Sequence, residues 1–246
     1  MKKEKSGGFG ETLRTIIYAG LIAVLIRTVA YEPFNIPSAS MVPTLLIGDY
    51  LFVSKFSYGY SHHSLPFSPR IFSGRIAERA PERGDVAVFK FPRDNKTDYI
   101  KRIVGLPGDR IQVTGGTLVI NGEAVKRQRL GEFVDYDRAG NGLRLTRYQE
   151  TLPNGKSYVV VEMTDAGPLD NTPVYVVPPG HFFGMGDNRD NSSDSRVLTQ
   201  VGYIPAENLV GRAEIVFFSS DGSAKLWEVW KWPSAIRWSR LFQSID

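Results

Sequence analysis

From residue 50 onward the chain is a succession of short runs rich in β-branched and aromatic residues, separated by turn residues. These runs lie at residues 50–56, 85–91, 99–104, 110–114, 117–120, 157–163, 174–177, 181–185 and 212–218. Gly115-Gly116 and Asn121-Gly122 are two-residue hairpin signals. The sequence shows no long helical period and no internal repeat. The pattern therefore predicts a mostly β domain with antiparallel pairing.

Two regions depart from this pattern. Residues 122–173 are more polar than their flanks and richer in Arg, Gly and Asn, which is typical of an inserted lobe in the form of a β-ribbon. All four tryptophans lie between residues 227 and 238, in a short basic tail at 221–246. Such a tail either folds onto the domain or lies at a membrane surface, where indole rings beside Lys and Arg are common.

An apolar run without charged side chains covers residues 16–26 and ends at Arg27. It is shorter than the roughly 20 residues that cross a bilayer, but Thr15 and residues 28–31 extend it, and the Arg27 guanidinium can reach the headgroup region. A signal anchor, a cleaved signal peptide and a buried amphipathic helix are all open interpretations. Arg27 stands where a cleaved signal peptide is uncharged, so the sequence favours a transmembrane anchor at residues 15–31.

Basic residues are distributed unequally around this run. Four precede it, whereas Arg27 is the only one between the run and Lys55. The positive-inside rule then puts the N-terminus in the cytoplasm and the rest of the chain outside. The expected organisation is a cytoplasmic segment at 1–14, the anchor at 15–31, an extracytoplasmic or periplasmic β domain at 32–220 with its lobe at 122–173, and the tail at 221–246.

Composition excludes several functional classes. Hydrophobic residues at 42% and charged residues at 23% are typical of a folded chain rather than a disordered one. Lys and Arg number 30 against 26 Asp and Glu, and the two signs are interleaved, which fits a solvated surface or one that faces anionic lipid, and no nucleic-acid partner is expected. The chain has no cysteine, which excludes disulfides, thiolate zinc sites and a cysteine nucleophile.

The search for catalytic motifs leaves a serine and a lysine. Gly-x-Ser-x-Gly, Ser-x-x-Lys and His-Glu-x-x-His motifs are absent, and the acidic run at 187–194 lacks the Gly and Glu of a calcium loop, so no metal or cofactor is predicted. The loop PSASMVPT at residues 37–44 holds small hydroxyl residues between two prolines. Lys101 shares one face of a β-type run with Tyr99 and Ile103. Alone, these features are more often a structural turn and a solvated lysine.

Four longer motifs change that interpretation. FNIPSASMVPTL at residues 34–45 resembles the serine box of bacterial signal peptidase I, the leader peptidase family. RGDVAVFK at 83–90, YIKRIVGLPGD at 99–109 and GDNRDNSSDSR at 186–196 resemble the boxes that follow it in that family, in the same order. The resemblance spans nearly the whole chain and includes the N-terminal anchor. Ala39 stands where many relatives have Gly.

The resemblance implies a mostly β hydrolase, a serine endopeptidase of the EC 3.4.21 class with a Ser/Lys dyad. Matching the motifs residue by residue implies Ser40 as nucleophile and Lys101 as general base. The Ser40 N–H and the Ser38 hydroxyl would form the oxyanion hole, Ser192 would orient the lysine, and Asp194 and Arg196 would form a structural ion pair. For residues 187–190 we expect a scaffolding role rather than a chemical one.

A lysine base requires a perturbed environment. With an ordinary pKa near 10.4, only about one lysine in 2,500 is neutral at pH 7. Lowering the pKa to roughly 7–8 requires about 4 kcal/mol of selective destabilisation of the ammonium, which burial can supply. We expect Tyr99 and Ile103 to provide the apolar walls around Lys101. Shallow pockets for small side chains of the substrate are expected at Ile36, Pro37 and Ile100.

The function implied by the resemblance is removal of N-terminal signal peptides from exported preproteins at the bacterial inner membrane. The expected partners are preprotein signal peptides and membrane phospholipid, with the translocation machinery as a further possibility. Three rivals remain open: a pilin or conjugation-factor processing peptidase of the same fold, a self-cleaving repressor, and a non-catalytic anchored domain that binds export partners. The anchor and the absence of a DNA-binding helix pair argue against the repressor.

Overall fold

One long helix and a set of short strands make up the protein, seen in a computed structural model that describes residues 9–65, 68–69, 71–136, 142–225 and 227–245. The helices are α1 (Phe9–Val29) and the short α2 (Trp232–Ala235). The strands are β1 (Tyr31–Asn35), β2 (Asp49–Ser54), β3 (Val86–Lys90), β4 (Asp98–Gly105), β5 (Arg110–Thr114), β6 (Thr117–Ile120), β7 (Glu123–Ala124), β8 (Lys126–Tyr136), β9 (Gly142–Thr151), β10 (Ser157–Glu162), β11 (Tyr175–Val176), β12 (His181–Met185), β13 (Ile204–Pro205), β14 (Leu209–Ser219) and β15 (Gln243–Ser244).

The main sheet has the strand order β1-β2-β14-β3-β4-β12-β13, with β15 paired to β14, and its ladders are antiparallel. Alternate residues along its strands point to opposite faces, and both faces are apolar. One face carries Leu51, Val53, Val86, Val88 and Val216. The other carries Ala87, Phe89, Ile103, Ile204 and Leu209. The prediction of a mostly β, antiparallel fold is confirmed, and each of the nine predicted runs overlaps a strand.

Two smaller antiparallel sheets complete the domain. One has the order β11-β5-β6-β7 and packs around a separate apolar cluster that includes Ile111, Leu118 and Val160. The other, β10-β9-β8, lies within residues 122–173, where the sequence predicts the inserted lobe. Strands β8 and β9 do not show as apolar runs because they are rich in charged and polar residues, so hydrophobic alternation is weak there.

Helix α1 is exposed from Gly10 to Arg27. It is the one helix in the described ranges that is long and apolar enough to cross a membrane, with a 20-residue span at Gly10–Val29. None of that span is buried against the rest of the chain, unlike a core helix of a soluble protein. The helix ends at Val29, and β1 begins at Tyr31, so the helix is joined directly to the main sheet. Lys2, Lys3 and Lys5, on which the predicted orientation depends, lie outside the described residues.

The C-terminal tail docks on the domain through its arginines. Arg240 binds the buried Asp49 carboxylate, with Nη2 2.5 Å from Oδ2, and donates to the Thr44 carbonyl at 2.9 Å. The indoles point the other way: Trp227 and Trp230 are each 70% exposed. The tail backbone is therefore folded onto the domain, as one of the two sequence-based alternatives expects, while its aromatic rings face outward.

Candidate active site

The serine loop follows β1 and is fixed by apolar residues immediately after Ser40. Met41 and Leu45 are fully buried in the core of the main sheet. Val42 is buried in a separate cluster with Leu145 of β9 and Val161 of β10. Because these side chains enter two different cores, the loop cannot move without disrupting packing on both sides. The polar Ser40 is left between them, facing the lysine strand.

Lys101 lies on β4, an inner strand of the main sheet between β3 and β12. Its Nζ is 2.7 Å from the Ser40 Oγ and 2.8 Å from the Ile100 carbonyl oxygen. The Tyr99 ring lies on the same side, with its centroid 5.7 Å from Nζ, and the Lys101 residue is only 3% exposed. The structure thus brings Ser40 and Lys101 into direct contact in a site with little access to water.

Burial changes the protonation of this lysine. It lowers the pKa of Lys101 to about 8, because an ammonium is poorly solvated in the interior. The carboxylates of Asp194 and Asp187 oppose that shift, and the Arg196 guanidinium adds to it. A pKa near 8 leaves roughly one lysine in ten neutral at pH 7, which is about 200 times more than an unperturbed lysine would provide.

Two glycines of β12 and the segment after it allow this close approach. A Cβ at Gly184 would lie 3.0 Å from the Lys101 Cβ and 2.9 Å from Ile204. A Cβ at Gly186 would lie 2.5 Å from the Ser40 carbonyl oxygen and would overlap the Ser192 side chain. Neither position can carry a side chain without displacing the serine loop or the lysine strand.

The residues predicted to support the dyad lie around it in different ways. Ser38 is exposed and lines the same cavity as Ser40. Ser192 is buried beside Gly186, but the hydrogen bonds of the Lys101 ammonium go to Ser40 and to Ile100 and do not include Ser192. The structure therefore places Ser192 close to the serine loop, without a hydrogen bond between its hydroxyl and the lysine.

Asp194 and Arg196 form a buried ion pair, with Nε and Nη2 each 2.9 Å from a carboxylate oxygen. Burial opposes ionisation of Asp194, but the Arg196 guanidinium and the Gly186 N–H outweigh it and hold the pKa of Asp194 below its ordinary value. Arg196 also donates to the Arg189 carbonyl. The pair thus links distant residues of the loop at 186–196 to one another and stabilises its conformation.

A cavity of about 410 Å³ opens next to the Ser40 hydroxyl. The residues predicted as pocket walls, Ile36, Pro37 and Ile100, all line it, together with Phe34 and Val88. The cavity is bounded by the end of β1 on one side and by residues 97–101 on the other. Its mostly apolar walls suit small aliphatic side chains of an extended peptide.

Sequence reasoning missed the buried charges beneath the site. Arg102 binds the Asp187 carboxylate through two nitrogens, at 2.9 Å and 2.8 Å, and both side chains are 1% exposed. Arg189 binds Glu150 of β9 in the same way. The signal that could have revealed the first pair is Arg102 itself, an arginine inside a run of Ile and Val, since a buried guanidinium requires a carboxylate partner.

In the described ranges no three His, Asp or Glu side chains are grouped to hold a metal ion.

Chemically, the arrangement pairs a hydroxyl with a base. A serine hydroxyl within hydrogen-bond distance of an amine that is partly neutral near pH 8 is suited to nucleophilic attack on a carbonyl carbon. The Ser40 backbone N–H makes no hydrogen bond within the part of the chain that the structure describes, so it is available to a developing oxyanion.

Comparison with known proteins gives a consistent result. The family model described as "Signal peptidase, peptidase S26" matches residues 9–218. Signal peptidase I of Rickettsia typhi is 39% identical over 91% of this chain and 89% of its own length. Signal peptidase I of Rickettsia massiliae is 38% identical over 94% of this chain and 91% of its own length.

Among solved structures, a signal peptidase I from Enterococcus faecalis V583 aligns with 55% of this chain and 97% of its own, at 24% identity and a TM-score of 0.32. The family model and the curated relatives carry the assignment, because each covers most of the chain. On that evidence, this protein belongs to the signal peptidase family, peptidase S26.

Proposed function

We propose that this serine peptidase removes N-terminal signal peptides from exported preproteins with Ser40 as nucleophile and Lys101 as general base. Family membership makes the chain a hydrolase that cleaves signal peptides. The assignment of the two residues rests on one observation, the 2.7 Å contact between Ser40 Oγ and a buried Lys101 Nζ at the wall of an apolar cavity.

The reaction follows from the protonation states. Neutral Lys101 accepts the Ser40 proton as the oxygen attacks the scissile carbonyl carbon, and the resulting ammonium then protonates the leaving amine. The acyl-enzyme is hydrolysed by water, whose proton passes to Lys101 and then to the departing Ser40 oxygen. The Ser40 N–H and the Ser38 hydroxyl, which line the same cavity, stabilise the oxyanion in both halves of the reaction.

The surrounding residues have supporting roles in this proposal. Ser192 supports the serine loop by packing, because its buried side chain fills the space beside Gly186 and the Ser40 carbonyl. The Asp194–Arg196 ion pair holds the loop against the serine loop. Ile36, Pro37 and Ile100 contact small side chains at the substrate positions before the cut, because they form apolar walls of the cavity beside Ser40.

The membrane is the proposed location of the reaction. Helix α1, whose apolar span is Gly10–Val29, overlaps the anchor expected at residues 15–31. The end of the chain that precedes this span would lie in the cytoplasm, and the β domain at 32–220 would lie on the outer face of a bacterial inner membrane. Since the serine loop follows the helix by only one short strand, the active site would lie close to the bilayer, where a signal peptide emerges. The exposed tail indoles at 227–238, beside Lys and Arg, are suited to the headgroup region.

The orientation can be measured with single cysteines, because the chain has none of its own. A cysteine at Ser223, an exposed tail residue, is expected to react with a membrane-impermeant maleimide added to spheroplasts, whereas one at Ser6 is expected to react only after lysis. Labelling of the Ser6→Cys chain in intact spheroplasts, or equal labelling of both variants, would contradict the proposed topology.

The pH dependence of cleavage tests the base. Since kcat/KM reports ionisations of the free enzyme, we expect it to rise about tenfold per unit below pH 7, to reach half its maximum near pH 8, and to level off by pH 9, as the pKa of Lys101 requires. A preprotein cleaved by detergent-solubilised enzyme supplies the measurement. A profile that is flat from pH 6 to 9 would argue against Lys101, and one still rising tenfold per unit above pH 9 would argue against its burial.

A further inference from the structure

Asn188 holds the Ala39–Ser40 peptide unit from one side. Its Nδ2 donates to the Ala39 carbonyl at 3.1 Å, and its backbone N–H donates to the Ser40 carbonyl at 3.1 Å. Asn188 as a whole residue is 2% exposed, so water does not compete for these bonds. Two consecutive carbonyls around the proposed nucleophile are therefore fixed by one residue.

This contact sets the direction of the Ser40 N–H. The only cis peptide bond in the described ranges is Val42–Pro43, so the Ala39–Ser40 peptide is trans, and its C=O and N–H point in opposite directions. Because the Ala39 carbonyl is held toward Asn188, the Ser40 N–H points away from Asn188. That N–H has no hydrogen-bond partner within the described chain. Rotation of the peptide plane would break the Asn188 bond.

We propose that Asn188 is a positioning residue that aims the Ser40 N–H at the oxyanion of the substrate. This inference rests on the proposed function, because it assumes that Ser40 is the nucleophile. Asn188 does not touch the substrate; it acts through the peptide unit that it holds. It thereby gives one residue of the 187–190 segment a specific role in catalysis beyond scaffolding.

Asn188 is itself held on a firm support. The preceding residue, Asp187, is bound to Arg102, and its carbonyl accepts from the Val161 N–H of β10 at 2.9 Å. The Asn191 N–H donates to the Asn188 carbonyl at 3.1 Å. A donor on such a support keeps the peptide plane fixed before substrate arrives, which is what electrostatic stabilisation of a transition state requires.

The fold does not depend on this side chain. Met41, Val42 and Leu45 anchor the serine loop in two apolar cores whether or not the amide is present. Truncation of Asn188 should therefore leave the loop folded but free its Ala39–Ser40 peptide plane to rotate. The expected loss is in the chemical step rather than in substrate binding.

The test uses Asn188→Ala in the full-length chain. We expect kcat to fall about 10–100-fold, less than for removal of an oxyanion donor itself, while KM and the pKa of the kcat/KM profile stay unchanged. A peptide aldehyde ending in alanine, which forms a tetrahedral adduct with a serine hydroxyl, should lose affinity by the same factor as kcat. The corresponding product peptide, which has no oxyanion, should bind as it does to wild type.

Asn154→Ala is the matched control, because its Nδ2 also donates to a main-chain carbonyl, that of Arg83, but at an exposed turn far from the dyad in the chain. It should cleave at the wild-type rate. Asn188→Asp, which places an acceptor against the Ala39 carbonyl, should lose at least as much kcat as Asn188→Ala. Wild-type kcat in Asn188→Ala, or a loss that appears in KM and in product affinity, would overturn the inference.

The two proposals can fail separately. If Ser40→Ala retains cleavage, the proposed nucleophile is wrong whatever Asn188 does. If Ser40→Ala is inactive and Asn188→Ala has wild-type kcat and aldehyde affinity, only the positioning role of Asn188 is wrong.

Discussion

Replacement of Ser40 by alanine or of Lys101 by cysteine is expected to lower kcat/KM for preprotein cleavage by about 10³-fold or more at pH 8. The first change removes the proposed attacking oxygen, and the second removes the proposed base 2.7 Å from it. If the two groups act in one step, as proposed, the double variant should be no slower than the slower single variant. Neither change should unfold the protein, since each removes atoms without leaving an unpaired buried charge.

Matched controls lie elsewhere on the surface. Ser157→Ala changes an exposed serine in β10, and Lys126→Cys changes an exposed lysine in β8. Both should cleave at the wild-type rate. Wild-type kcat/KM in Lys101→Cys would rule out the dyad, and additive losses in the double variant would indicate that the two residues act in separate steps.

The second large effect concerns stability. Asp187→Ala is expected to lower the free energy of unfolding by about 3–5 kcal/mol, because it removes the carboxylate that binds the fully buried Arg102 guanidinium. Asp187 also accepts from the Thr44 hydroxyl at 2.5 Å, so the serine loop loses a contact as well. Urea titration followed by far-UV circular dichroism measures the change.

An exposed ion pair provides the comparison. Glu132→Gln breaks the pair with Arg144, whose side chain is 81% exposed, and should change the free energy of unfolding by at most about 1 kcal/mol. Arg102→Met combined with Asp187→Leu removes both charges and should be more stable than Asp187→Ala. If Asp187→Ala unfolds at the wild-type urea midpoint, the buried pair contributes nothing to stability.

Much of the fold follows from local sequence pattern. Strands such as β5 and β6 are bounded by Gly-Gly and Asn-Gly turns and have the predicted limits, because hairpin geometry depends on nearby residues alone. Strand β1 is not predicted from the sequence because it contains Pro33, and a proline argues against a strand. Proline is tolerated in a strand only where its missing N–H faces away from the neighbouring strand. Strands β8 and β9 are not predicted either, because the polar lobe buries little of either strand and their sequences therefore lack hydrophobic alternation.

The candidate site was only partly readable from sequence. The resemblance of the motifs indicates Ser40 and Lys101. Their contact, however, joins two residues 61 positions apart in the chain, and it requires glycines where the serine loop and the lysine strand approach β12. The Arg102–Asp187 pair joins two of the same motifs, yet partner choice for a buried arginine is a property of the tertiary structure. The low pKa of Lys101 likewise arises from burial, which no local pattern determines.

The most direct test of the dyad restores the amine chemically. The chain has no native cysteine, so Lys101→Cys carries a single thiol, at a position that lines the cavity. Alkylation with 2-bromoethylamine yields a side chain of lysine length with sulfur in place of one methylene, and 2-bromoethanol yields a similar side chain without the amine. We predict that aminoethylation raises kcat/KM of Lys101→Cys by about 10²-fold or more and that hydroxyethylation does not. Equal activity after both treatments would contradict a lysine base at this position.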